Sequence, residues 1–159
     1  MQIDDGERAL LRKVLAYLIA HGTFPDAEKF RLDHAGQRAP IDALLSAHYL
    51  ENVKGRYALT LAGLLACDSE KAWREIAACN ALLPVLVEAY LADPGREWSV
   101  DALAEKAGDS VVAVARSLTF LLDRNIWSTR DHDPETGLIK SVRFSEGILD
   151  TEPIEWRTR

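Results

Sequence analysis

Few residues in this chain have the types and spacing that could do chemistry. The triplet Asp131-His132-Asp133 is the most suggestive, since two carboxylates beside an imidazole could hold a cation. On a turn, however, such residues are more often solvated. His21, His34 and His48 stand singly. Cys67 and Cys79 make no Cys-x-x-Cys or Cys/His ligand pattern. If both lie on one helix, the spacing separates them by ~18 Å, too far for a disulfide. Both are expected as buried apolar side chains, with neither metal nor disulfide supporting the fold. No nucleophile elbow, phosphate-cradling glycine loop or zincin helix occurs. The expectation is a protein without enzymatic activity, cofactor or metal.

Composition narrows the remaining classes. The chain has 159 residues, 48% of them hydrophobic, enough for one or two small domains with a real core. Its net charge is −6, and residues 1–66 carry eight basic and eight acidic side chains, so the excess lies in the second half. An acidic balance argues against strong non-specific phosphate binding, though a local basic face is compatible with it. No apolar run is read as approaching a membrane span, and no signal peptide opens the chain. A soluble cytoplasmic protein is expected.

The elements that must position any site follow from caps and periodicity. Asp4 to Glu7 starts a helix whose apolar face is Leu11, Val14, Leu15 and Leu18, and Gly22 ends it. Thr23-Phe24 suits a short strand, and a second helix runs from Pro25-Asp26 to Gly36. Pro40 opens a third helix reaching Tyr49, followed by a hairpin about Lys54-Gly55. Ser69 caps a connecting helix to about Cys79, and Pro84 predicts a kink or a separate helix from Leu82. Ser99 and Asp109 cap two more helices, the second with Val111, Val114, Leu118 and Leu121 as its buried stripe. Asn125 makes its exit in left-handed geometry. A second hairpin turns at Asp133-Pro134-Glu135-Thr136-Gly137.

The helix from Pro40 and the run Gly55-Arg56-Tyr57-Ala58-Leu59-Thr60-Leu61-Ala62-Gly63 resemble the recognition helix and wing of the winged helix-turn-helix superfamily. The same run also resembles the small winged domain through which many O-methyltransferases dimerise. The repeated order of elements, with Ala16-Tyr17-Leu18 echoed by Ala89-Tyr90-Leu91, suggests duplication. The expected fold is mainly α with small β hairpins, built as two tandem winged helix-turn-helix modules. Module one covers 1–67, a helical connector 68–81, module two 82–146, and a C-terminal tail 147–159.

The resemblance implies two kinds of partner. For double-stranded DNA, Arg31, Arg38, Lys54 and Arg56 in module one and Arg116, Arg130, Lys140 and Arg143 in module two are the candidate contacts. Arg116 is expected outward, as the best base reader of module two, beside Ser117 and Phe120. Asp42 and Asp109 stand where phosphates would have to approach, which weakens this reading. For a protein partner, Phe120 is expected as an exposed anchor, with Ile148, Leu149, Ile154 and Trp156 in the tail. Those tail residues either fold back onto Trp73 and Ile76 or dock on a second copy. The residues leave DNA-binding regulation and protein assembly both open. A homodimer is expected in either case.

Overall fold

The computed structural model describes residues 2–156. It is mainly helical, with two small antiparallel sheets, and it divides into two compact units. Unit 1 holds the chain through Ala72 together with the loop Pro134–Gly137. Unit 2 holds Trp73–Asp133 and the chain from Leu138 onward. The last three residues of the expected tail lie outside the described ones.

In unit 1, α1 (Asp5–His21) begins with a full capping box: Glu7 N–H donates to Asp4, and the Glu7 carboxylate accepts from Asp4 N–H. Leu10, Leu11, Val14, Leu15 and Leu18 along it are buried. They form the core with Phe30 of α2 (Ala27–Asp33) and Ile41 and Leu44 of α3 (Arg38–Ser46). Strands β1 (Leu50–Val53) and β2 (Arg56–Leu59) pair antiparallel across Lys54-Gly55, so the expected hairpin is present. A short helix that the sequence reading lacks, α4 (Leu61–Cys67), follows at once. Thr60 makes it: its hydroxyl accepts from Gly63 N–H and donates to His48 O at 2.7 Å. The pairing expected at Thr23-Phe24 is a loop contact instead. Phe24 N–H donates to Thr136 O, and Asp26 forms an isolated bridge to Arg56.

Unit 2 contains most of α5 (Glu70–Ala92), then β3 (Glu97–Ser99), α6 (Val100–Ala107), α7 (Val111–Leu121), β4 (Trp127–His132) and β5 (Ile139–Phe144). The sheet order is β3-β5-β4, with β5 antiparallel to both neighbours. Ser99 and Ser110 cap α6 and α7 by accepting from Ala102 and Ala113 N–H. Every residue of α7 from Val114 to Leu121 is buried except the partly exposed Arg116.

Three sequence expectations give way here. Pro84 neither breaks α5 nor starts a new helix; 23 residues run through it without interruption. Its ring stands exposed, on the side where a carbonyl released from the helical ladder meets water. Asn125 is absent from the non-glycine residues with positive φ, which among the described residues are His48, Lys54 and Asp68. Finally, α5 is long and apolar enough by length and composition to cross a membrane, with mean hydropathy 1.5 over an 18-residue window. The expectation that no apolar run approaches that length is thereby corrected.

Candidate interaction surfaces

The basic residues nominated for phosphate contact have different fates. In unit 1, Arg31 reaches across from α2 to α3, its Nη2 2.5 Å from Asp42 Oδ1, while its Nε donates to the Tyr57 hydroxyl. The hydrogen bond that Arg31 donates to Asp42, then the one it donates to Tyr57, raises the Arg31 pKa above its ordinary value. The guanidinium is a fixed strut between helix and hairpin. Arg56 spends its donors on backbone: Nη1 on Phe24 O at 2.8 Å and Nε on Pro134 O at 3.3 Å. Arg38, in the first turn of α3, and Lys54, in the β1–β2 turn, are exposed. Arg38 also lines a cleft of about 210 Å³ with Arg31, Leu32, Ala35 and Ile41.

In unit 2 the base-reader expectation for Arg116 is corrected. Its Nη2 and Nε lie 3.2 and 3.3 Å from the two oxygens of Glu75, whose side chain is 8% exposed. A bidentate, partly buried pair of this kind holds the guanidinium against α5, because releasing it would strand a buried carboxylate. Arg130 stacks over the Trp127 ring at 4.4 Å, and Lys140 pairs with Asp131 at 3.2 Å. Arg143 is exposed on β5 and faces Glu97 across the register. Asp131 is therefore engaged within the hairpin, and no group of three or more metal-ligating side chains occurs among the described residues.

The protein-contact set changes more. Phe120 is 0% exposed and Ser117 4%, so neither faces outward. Burial of α7 extends beyond the single stripe read from its periodicity. The tail folds back on its own unit. Ile148 and Ile154 are buried, Trp156 stacks on Trp73 with ring centroids 6.4 Å apart, and Leu149 alone of the tail's apolar set is strongly exposed, at 46%. Asn80 clamps the tail at two points: Nδ2 donates to Ile154 O at 3.0 Å and Oδ1 accepts from Ile154 N–H at 2.7 Å.

What the sequence reading missed is the outer face of α5. Arg74, Ala77, Ala81, Pro84, Glu88 and Leu91 are all exposed, Leu91 at 63%. On one side runs a groove of about 450 Å³ lined by Asn80, Leu83, Pro84, Val87, Glu88, Leu91, Thr151 and Pro153. On the other runs a groove of about 140 Å³ between α5 and the α6–α7 region, lined in part by Ala78, Leu82, Val85, Ala107 and Ala113. Spacings of three and four along an otherwise apolar helix were the available signal, obscured by the boundary placed before Leu82.

The two cysteines are buried in separate places, and burial pushes each thiol up to about 12. Thiols so held stay protonated at neutral pH and are poor nucleophiles or metal ligands.

No family model, curated protein or solved structure matches this chain.

Proposed function

We propose that this chain is a non-enzymatic, cytoplasmic tandem winged-helix protein whose task is protein assembly. Three helices followed by a hairpin in unit 1, and α5, α6, α7 with the β4–β5 hairpin in unit 2, support the winged-helix reading. The fold alone does not choose a partner. The observation that carries the choice is the engagement of the cations. Arg31, Arg56, Arg116, Arg130 and Lys140 all contact this chain's own carboxylates, carbonyls or rings. Binding to a polyanion depends on cations that can replace condensed counterions, and at least five of the eight nominated here have intramolecular work.

A second reading, double-stranded DNA on unit 1, is favoured by the exposure of Arg38 and Lys54. Fluorescence anisotropy of a labelled duplex at ~50 mM salt separates the two, since phosphate contacts are strongest at low salt. The assembly reading expects no saturation up to about 100 μM protein, the weak end of ordinary non-specific binding. Saturable binding that weakens in Arg38→Ala/Lys54→Ala, with the salt slope reduced by roughly two, would overturn it.

A further inference from the structure

We propose that the outer face of α5 pairs two copies of this chain, antiparallel, about a twofold axis through Ala81. The inference rests on the assembly reading above and names its partner.

The spacing comes first. Arg74, Ala77, Ala81, Pro84, Glu88 and Leu91 recur at steps of three, four, three, four and three. That alternation keeps a seam facing one partner helix over its whole length. All six are exposed, while Ile76, Cys79, Leu82, Leu83, Leu86 and Ala89 on the same helix are buried. The seam is thus an added face on a helix whose other side already belongs to the core.

Shape and charge then select a second copy over an unrelated helix. The ridge through Ala77, Ala81 and Pro84 lies between the 450 Å³ and 140 Å³ grooves, so an identical ridge meets grooves on either side. Small side chains at its centre allow helix axes to approach closely. Arg74 lies seven residues before Ala81 and Glu88 seven after it. An antiparallel copy crossing at Ala81 therefore sets each Arg74 against the other copy's Glu88, twice, as an isologous interface demands. A parallel pair, or a partner helix of other sequence, gains no such match from these residues.

Sedimentation equilibrium of the full chain over a micromolar series is expected to give twice the 17.7 kDa monomer mass. Ala81→Arg should return the mass to the monomer. Arg74→Glu and Glu88→Arg should each weaken pairing by about tenfold or more, since two attractive pairs become repulsive. The double variant Arg74→Glu/Glu88→Arg should recover to within about threefold of wild type, which a merely structural role for either residue does not explain. All three positions are exposed, so the variant monomers should stay folded, with melting lowered only by the lost contribution of pairing. Wild type that stays monomeric at high micromolar concentration overturns the pairing. So does a dimer indifferent to Ala81→Arg, or a double swap without recovery. The assembly reading fails by a different result, saturable salt-dependent duplex binding, so the two failures are distinct.

Discussion

Replacement of Phe120 by alanine is expected to lower unfolding free energy by roughly 3–5 kcal/mol, the usual cost of emptying a core aromatic site. Phe120 is fully buried at the end of α7, on a helix with its neighbours Leu118, Thr119 and Leu121 buried beside it. The deleted ring therefore leaves a cavity that only a shift of that helix could close. For a chain of this size the loss corresponds to a melting shift of about ten degrees. Thermal unfolding by circular dichroism measures it. A variant within about 0.5 kcal/mol of wild type is what a surface position would give, and would restore Phe120 to the outward place the sequence reading assigned.

Gly63→Ala is the second large effect, and it runs against local propensity. In an exposed helix interior the change stabilises by about 1 kcal/mol. Here a Cβ at residue 63 falls 2.2 Å from the Tyr49 carbonyl oxygen and 2.8 Å from Leu59 Cδ1. The carbonyl belongs to a backbone that Thr60 also grips, accepting from the Thr60 N–H and hydroxyl at 3.2 and 3.1 Å. It cannot retreat without opening the cap of α4. The variant is expected to lose roughly 3 kcal/mol, at the upper end of ordinary overpacking. Gly36→Ala serves as the control, because nothing lies within 4 Å of its added Cβ. Equal melting points for the two variants would contradict the close approach of α4 to the Tyr49 backbone.

These two residues mark what the sequence disclosed and what it hid. Local chemistry was legible: the start of α1 at Asp4 to Glu7, the left-handed exit at Gly22, and both hairpins stand where caps and turn residues put them. Gly63 was read only as the end of the wing run, because the helix it enters and the Tyr49 carbonyl it must avoid, on the far side of a strand pair, leave no local signal. Phe120 looked outward because a single apolar stripe was drawn on α7, whereas that helix is enclosed on more than one side. Arg116 looked available because its partner Glu75 is 41 residues away. Nothing in local periodicity announces such a pair. Pro84 was read as a boundary on the strength of its lost hydrogen bond, and that boundary divided the α5 seam in two.

The most direct measurement is oxidative cross-linking of the Ala81→Cys variant. At a twofold crossing of two helices the two copies of residue 81 come within the Cα separation a disulfide spans, roughly 5–6 Å. The native thiols interfere little, because Cys67 and Cys79 are buried and protonated well above neutral pH. Leu32→Cys, at a position 72% exposed in unit 1, reports random collision. The pairing predicts rapid conversion of Ala81→Cys to a reducible species of twice the monomer mass, while Leu32→Cys stays mostly monomeric. Cross-linking of Ala81→Cys no faster than that of Leu32→Cys would contradict it.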